Sequence, residues 1–592
     1  MWMKRTHTCG DLRRTHAGET VVLNGWVASR RDLGGVIFVD LRDRYGITQA
    51  MIPQSLAAIA DELKSETVIA ISGKVILRPN ENINLKRATG EIEVHADKVE
   101  ILNRTKPLPF EVSEHIDVRD DVRLRYRYID MRRPVLRDAI IFRSRVAQTI
   151  REVFHDEGFI EVETPLLIKT TPEGARDFIV PSRMHPGSVY ALPQSPQLLK
   201  QTLMVCGMDK YFQICKCLRD EDLRADRQPE FTQLDMEMSF VDKEDVFRVI
   251  ERTMTTLYEK LLAKPLPKVF PRMTYKEAME RYGIDKPDTR FGLELFDVSD
   301  VVKNSGFKVF SGALAAGGSV RGLCVEDGSP VSRKEIEALE QVAKDYGAKG
   351  LAWVRFQEDG SLSGPIAKFL LPEEAAGIKA RAKAKNGSLV LFVADKNPVV
   401  FAALARVRLA LGRQLNLIDK NRTDVLWIID FPLFEWNEDS KTWTAMHHMF
   451  TKPQCELPKP GEDLSHVLGD LYDLVVNGNE MGSGSIRINR PEQQARIFDL
   501  VGISPAEADM KFGWFLRALE FGAPPHGGIA LGLDRLVMVM LGYDNLRDVI
   551  AFPKNSSGVD PLMDSPSEPV GDALDVLGLQ WKKEIIEKRA SD

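Results

Sequence analysis

The stretch Tyr211-Phe-Gln-Ile-Cys-Lys-Cys-Leu-Arg-Asp-Glu-Asp-Leu-Arg-Ala-Asp-Arg-Gln-Pro-Glu-Phe-Thr-Gln-Leu-Asp-Met-Glu-Met238 is the densest mixture of aromatic, amide and charged residues in the chain. Both of its ends alternate as strands do, successive side chains pointing to opposite faces. In the second half, Phe231, Gln233, Asp235 and Glu237 fall on one face, while Leu234, Met236 and Met238 point the other way into a core. In the first half, Gln213 and Arg219 share a face, with Phe212, Ile214 and Leu218 opposite. Residues 220–228 form the loop of a long hairpin. One sheet face thus offers a ring, an amide, carboxylates and an arginine, a set able to stack a base, bind an amine and hold a phosphate. The plain alternative is a solvated face with surface ion pairs, but Pro229, Phe231 and two uncharged amides interrupt the charge run.

Outward from this hairpin, strand patterns recur at 189–192, 425–431, 470–477 and 484–488, with an amphipathic helix at 138–157. The spacing lacks the regularity of a parallel sheet, so it predicts a multidomain α+β chain with an antiparallel central sheet. Two further clusters flank that sheet. In Tyr472-Asp-Leu-Val-Val-Asn-Gly-Asn-Glu-Met-Gly-Ser-Gly-Ser-Ile-Arg487, a hairpin puts Asp473 and Glu480 on opposite arms and Arg487 level with Ser485. Facing carboxylates call for a cation, and magnesium with few protein ligands plus nucleotide phosphates fits best; two solvent-facing turn carboxylates are the alternative. In Gly522-Ala-Pro-Pro-His-Gly-Gly-Ile-Ala-Leu-Gly-Leu-Asp-Arg535, the spacing of Gly528, Gly532 and Arg535 predicts one face of a helix. No Gly-Lys-Ser/Thr follows, so it is not a phosphate P-loop. His447-His448 is either catalytic or one buried and one exposed histidine on a strand. Residues 290–425, with the Gly- and Ala-rich 311–318 and a helical 332–346, carry none of these polar clusters and read as an insertion.

Residues 1–107 are different. Short strands at 21–27, 35–41, 67–72 and 91–94, a helical stretch near 55–64 and Gly- and Asn-rich turns predict about five strands in a small barrel of the OB type, with an SH3-like barrel as rival. A Pro- and Arg-rich link, 108–134, follows. The whole chain has 592 residues and a net charge of −6. Divided, that is +3 for residues 1–107 and −9 for the rest. The balance excludes a generally polybasic nucleic-acid binder but leaves the barrel as the basic end. Six scattered cysteines give neither a zinc site nor a disulfide framework. No apolar run suits a membrane span, and the start lacks a secretory h-region, so a cytoplasmic protein is expected.

Taken together, Gly158-Phe-Ile-Glu-Val-Glu-Thr-Pro165, the run Leu218–Asp235 and Gly527-Gly-Ile-Ala-Leu-Gly-Leu-Asp-Arg535 resemble motifs 1, 2 and 3 of the class II aminoacyl-tRNA synthetases. Thr171-Pro-Glu-Gly-Ala-Arg-Asp177, Gln194-Ser-Pro-Gln-Leu-Leu-Lys200 and Met446-His-His448 are similar to the aspartyl branch, and the placement of the insertion to its bacterial type. The resemblance runs from about residue 8 to 590. It implies an OB-fold anticodon-binding domain at 1–107, a hinge at 108–134, and a catalytic domain at 135–289 and 426–592 interrupted by an α+β insertion domain at 290–425.

The same resemblance implies a ligase that makes aspartyl-adenylate from L-aspartate and ATP, then transfers aspartate to the 3′-terminal adenosine of tRNA-Asp. Arg219 would hold the α-phosphate, Phe231 stack on adenine, Arg535 bind the γ-phosphate, and Glu221 and Gln228 complete the ATP site. Asp473 and Glu480 would hold magnesium. Lys200 and Arg487 would pair with the substrate's side-chain carboxylate, Ser195, Gln197 and Asp235 with its α-amino end, with His447 and His448 nearby and Glu173 on a closing loop. Arg31, Leu33, Phe38, Gln49 and Glu93 match anticodon-reading positions, although Phe38 reads equally as barrel core. Leu33 stands where members charging tRNA-Asn as well often carry histidine, which points to tRNA-Asp alone; dual charging is the alternative. A homodimer through motif 1 is also implied. Asparaginyl or lysyl sister enzymes, and a non-catalytic tRNA- or nucleotide-binding paralogue, are the competing readings.

Overall fold

In the computed structural model the described residues are 2–34, 36–171, 174–222, 227–582 and 584. They pack as two compact units. The first comprises Met1–Ile141, Ala551–Asn555 and Val559–Pro566, and the second Phe142–Ile550, Ser556–Gly558 and Ser567–Asp592.

In the first unit, five strands close a barrel: Thr20–Leu33, Val36–Arg42, Ile47–Ile52, Val68–Leu77 and Ile92–Asn103, with the fifth lying between the third and fourth. Period-two apolar residues build its interior, among them Val21, Leu23, Ile37, Val39, Leu41, Ile69, Ile71 and Val94. The strand Ile47–Ile52 is not among those expected, because two of its three inward residues, Thr48 and Ala50, give little apolar signal; Thr48 is satisfied by donating to the Cys9 carbonyl. The helix expected near 55–64 shrinks to one 3₁₀ turn, Gln54–Leu56, and one α turn, Ala57–Ala60. Phe38 is half-exposed between the buried Ile37 and Val39, so it lies on the outer surface and not in the core.

The second unit is organised on an eight-stranded sheet in the order Arg272–Thr274, Val425–Ile429, Leu471–Val476, Asn479–Ile486, His526–Gly532, Glu230–Ser239, Lys210–Leu218, Ile160–Glu161. Its two outermost pairings are parallel and all others antiparallel. The helix Lys243–Leu262 starts at Asp242, which accepts from the N–H groups of Glu244 and Asp245, and ends at Ala263 in the left-handed conformation. It buries Phe247 against Trp427, rings stacked at 4.1 Å, with Tyr472 edge-on.

The segment 526–532 corrects the sequence reading. It is a central strand, and the helix begins only at Leu533–Leu541, so Gly528 and Gly532 lie on the sheet and Arg535 alone is helical. The glycines have a steric cause. Gly528 faces Glu237 across the ladder, and a Cβ there would sit 2.1 Å from the Met236 carbonyl oxygen and 2.2 Å from Glu237 Oε2. The small residues clear room over the sheet for a buried carboxylate.

Within residues 296–395 a separate antiparallel sheet runs Phe296–Asp297, Ser319–Val325, Leu389–Asp395, Ala352–Phe356, Leu362–Ser363. Its faces bury two cores, one around Leu323 and Leu391 beneath the helices Arg333–Asp345 and Asn397–Gln414, the other around Phe310, Val354 and Phe392. Buried Arg408, on the second of those helices, donates to the carbonyls of Asp288, Phe291, Gly292 and Leu293, pinning the chain where it enters this segment.

Candidate active site

A cavity of about 1940 Å³ opens on the large sheet. Of the residues expected to bind the amino acid, Ser195, Gln197, Lys200, Asp235, His447, His448 and Arg487 line it. So do Arg219, Glu221, Gln228, Phe231, Glu480 and Arg535 from the expected nucleotide set. Asp473 is buried, and Glu173 lies outside the described residues.

At the floor, four charges interlock. Lys200 Nζ lies 2.7 Å from Asp235 Oδ1 and 3.4 Å from Glu237 Oε2. Arg487 grips Glu237 with Nε at 2.9 Å and a second nitrogen at 3.1 Å, while its remaining nitrogen reaches Ser485 Oγ at 2.7 Å and His448 Nε2 at 2.8 Å. All four charged residues are at most 2% exposed. The two carboxylates divide. Burial pushes Asp235 above its usual range, Glu237 adding to the effect and Lys200 opposing it. Burial acts on Glu237 too, but Arg487 and Lys200 outweigh it and hold that group below its usual value. Asp235 Oδ2 and Gln197 Nε2 have no hydrogen-bond partner although buried, and an ammonium and an acceptor oxygen are the groups that would satisfy them.

Glu237 is the main residue that sequence reasoning left without a role. Its signal was present, since it shares the face of Phe231, Gln233 and Asp235, but only the structure shows it fully buried between two cations. His447 sits on a bend and His448 just after it, neither on a strand, with His447 exposed and His448 half-buried. Desolvation in the cavity lowers both below the usual histidine value, and Arg487 adds to this at His448.

Toward the hairpin, the Arg219 guanidinium lies 5.2 Å over the Phe231 ring, and its buried Nε lacks a partner. Arg535 donates to the Glu480 carbonyl at 2.8 Å. Asp534, unassigned by sequence, accepts from the backbone N–H of Thr232 at 2.7 Å and pairs with Arg143, fixing the helix to the hairpin. Gln194 holds Ala175 through both of its backbone groups and donates to Asp177.

Asp473 and Glu480 stand on adjacent antiparallel arms. Burial, and then Glu480, drive Asp473 well above the carboxylate range, and its Oδ1 has no partner. Glu480 is held below its usual value because Lys286, 3.1 Å from Oε2, with Arg535 and His447, overcomes the effect of burial. An orphaned carboxylate oxygen beside a second carboxylate fits a hard divalent cation with few protein ligands. Among the described residues, no group of three or more His, Cys, Asp or Glu could hold a metal.

In the first unit, Arg31, Gln49 and Glu93 form a chain on the barrel's outer surface. Arg31 donates to Gln49 Oε1 at 3.1 Å, and Gln49 Nε2 donates to Glu93 Oε2 at 2.9 Å. Phe38 lies opposite Arg31 in the ladder, and Leu33 is 65% exposed at the strand end. Asp40 anchors the group, accepting from Ser29 and from both terminal nitrogens of Arg87.

Comparison with known proteins agrees with this geometry. The family model of tRNA synthetases class II (D, K and N) matches residues 119–556, and that of the OB-fold nucleic acid binding domain matches residues 21–102. The aspartate–tRNA ligase of Shouchella clausii is 50% identical over 594 residues, covering 99% of this chain and 100% of that protein. The aspartate–tRNA(Asp/Asn) ligase of Aquifex aeolicus is 50% identical, covering 95% and 96%. Among solved structures, the asparaginyl-tRNA synthetase of Pyrococcus horikoshii, in complex with asparaginyl-adenylate, superimposes with a TM-score of 0.57 at 18% identity, covering 93% of this chain and 99% of that one.

Proposed function

The chain belongs to the class II tRNA synthetases (D, K and N), and on that premise we propose how its side chains activate aspartate and pass it to tRNA. It is an ATP-dependent ligase that joins L-aspartate to tRNA. The observation behind the assignment of roles is that three residues lining one cavity, Gln197, Asp235 and Arg219, each keep a buried polar side-chain atom without a partner.

In this reading, Asp235, Gln197 and Ser195 take the α-amino end. Lys200 and Arg487 face the side-chain carboxylate, with neutral His448 turning Arg487 toward it. Phe231 receives adenine, Glu221 and Gln228 border the nucleotide, Arg219 meets the α-phosphate and Arg535 the γ-phosphate. Asp473 and Glu480 would hold magnesium, which when bound neutralises polyphosphate charge. The substrate's α-carboxylate then attacks the α-phosphorus in line and pyrophosphate leaves, so catalysis rests on positioning and charge stabilisation and not on a side-chain nucleophile. The 3′-terminal adenosine hydroxyl of tRNA attacks the resulting mixed anhydride, releasing AMP.

The barrel would read the anticodon, Phe38 stacking on an unpaired base while Gln49 and Glu93 address its edge, the usual arrangement for single-stranded RNA. We also propose the domain division given above, a cytoplasmic location, and a homodimer through residues 158–165, where Ile160 and the adjoining Leu166 and Leu167 are about half exposed. Among the described residues, no helix is long and apolar enough to cross a membrane. The tRNA partner is proposed as tRNA-Asp on the strength of Leu33. Dual charging is the second reading, since relatives at about 50% identity bear both names. Aspartate-dependent ATP–pyrophosphate exchange tests the first step, and its absence would overturn the assignment. Charging of purified tRNA-Asp and tRNA-Asn separates the two partners.

A further inference from the structure

The carboxylate pair Asp473 and Glu480 meets a cation from the chain itself. The two acids stand on the arms Leu471–Val476 and Asn479–Ile486, joined at Asn477 and Gly478. Both turn residues are left-handed, with φ of 51° and 77°, the conformation that matches the twist of two adjacent antiparallel arms. Asp473 is 2% exposed and its Oδ1 has no partner. Lys286 reaches the pair from a distant part of the chain, its Nζ 3.1 Å from Glu480 Oε2. An ion pair on an open surface contributes little, but these side chains are only 38% and 31% exposed and both residues line the cavity.

The backbone that carries Lys286 is held from two sides. The helix Tyr275–Tyr282 ends at Gly283 in the left-handed conformation, and the residues after it pack on the hairpin tip. Gly478 leaves room for them, since a Cβ there would sit 2.9 Å from Asp288 Cβ. Thr289 donates to Asp424 Oδ2 at 2.9 Å, and Asp424 exchanges hydrogen bonds with Asn477, donating to its Oδ1 and accepting from its backbone N–H. From the inserted segment, buried Arg408 grips the carbonyls of Asp288, Phe291, Gly292 and Leu293. The main chain is thus fixed while the lysine side chain is not: it is a compact charge on a flexible stem with rotatable donors, suited to changing partners.

We propose that Lys286 is the exchangeable counter-cation of the nucleotide site: its ammonium neutralises the Asp473–Glu480 pair and, when Mg·ATP enters, passes to the polyphosphate and frees both carboxylates. Lys286 gains a phosphate partner when a divalent cation arrives with nucleotide, and loses its only paired carboxylate when the cation arrives alone. The site would therefore favour the metal ion in company with its nucleotide and resist it by itself. The proposal rests on the ATP-dependent reading above, in which Asp473 and Glu480 hold magnesium.

Two affinities of the full chain test it. Manganese, a paramagnetic stand-in for magnesium, is titrated without nucleotide and followed by electron paramagnetic resonance of the free ion; Mg·ATP is titrated by calorimetry without aspartate. Lys286→Met should bind bare manganese about tenfold tighter and Mg·ATP about tenfold more weakly, each change equivalent to about 1.4 kcal/mol. Adding Glu480→Gln to that variant should remove the gain in manganese affinity, which assigns the gain to this pair. Lys286→Arg, which keeps the charge, should hold both affinities near those of the unaltered chain. The opposite signs are the signature, because a lysine that merely supports the loop would weaken both affinities on removal. The proposal fails if the two affinities of Lys286→Met move together or if either stays unchanged. Absence of aspartate-dependent pyrophosphate exchange in the unaltered chain would instead sink the catalytic reading, with the manganese titrations still reporting on Lys286.

Discussion

Replacing Arg487 with leucine separates two jobs of one side chain, the ion pair with Glu237 that the structure shows and the proposed contact to the substrate carboxylate. The guanidinium is the bidentate partner of Glu237, at 2.9 and 3.1 Å, and both groups are fully buried. Its loss leaves Glu237 with Lys200 at 3.4 Å. Stranding a buried charge in this way costs about 3–5 kcal/mol of stability. Separately, the variant should remove the proposed charge-assisted contact to the substrate carboxylate, about 1.5–3 kcal/mol, or roughly tenfold to 150-fold in affinity. Thermal unfolding reads the first effect, and aspartate titration in pyrophosphate exchange reads the second. The KM for ATP is the internal control, because Arg219 and Phe231 are untouched. A companion variant, Arg487→Leu with Glu237→Gln, neutralises the stranded carboxylate. It should recover much of the stability while the KM for aspartate stays raised and discrimination against asparagine shrinks. If the companion regains the original KM, or if the single variant never loses it, Arg487 serves Glu237 alone and the assignment is wrong.

Three more perturbations follow from the same geometry. Phe231→Ala should raise the KM for ATP about tenfold or more, on the order of 1–3 kcal/mol of base stacking, and leave that for aspartate within twofold, as steady-state exchange will show. Gly528→Ala places a Cβ against the Met236 carbonyl and Glu237 Oε2; overpacking of this kind costs about 1–3 kcal/mol, visible as a lower denaturant midpoint. His526 is fully buried, and desolvation holds its pKa below the usual 6.5. The unfolded chain therefore binds its proton more tightly, so stability present above pH 6.5 should be lost as pH falls through the folded value. His526→Gln should flatten that part of the melting-temperature profile.

Much of the second-unit sheet was legible because apolar and polar side chains alternate in strands such as Glu230–Ser239 and because glycine and proline mark its turns. The hairpin 211–238 placed Phe231, Gln233, Asp235 and Glu237 on one face, and the structure keeps them there. The failure at 526–532 was physical. Glycines at spacings of four fit a helix face, but here they are strand residues whose missing Cβ atoms make space for a carboxylate on the neighbouring strand, a demand that one strand's sequence does not record. Lys286 was likewise invisible, because its partner Glu480 lies far along the chain and the two meet only once the chain is folded. Phe38 remained open to sequence reading because alternation fixes which residues share a face but not which face is inward. The buried Ile37 and Val39 decide it.

Charge is where local placement matters most. The floor of the cavity contains Lys200, Arg487, Asp235 and Glu237, two of each sign, so its formal charge is zero before any substrate arrives. In the proposed binding mode aspartate brings an ammonium for Asp235 and a side-chain carboxylate for the two cations, and those two groups also sum to zero. Asparagine brings the ammonium but a neutral amide, leaving one uncompensated positive charge among side chains at most 2% exposed. Water cannot repay that imbalance, because the same burial that strengthens each pair removes the solvent that would screen an odd charge. On that proposal Glu237 governs selectivity without needing to touch the substrate. It brings the floor to neutrality, so that the pocket accepts a carboxylate and an ammonium together and penalises either alone.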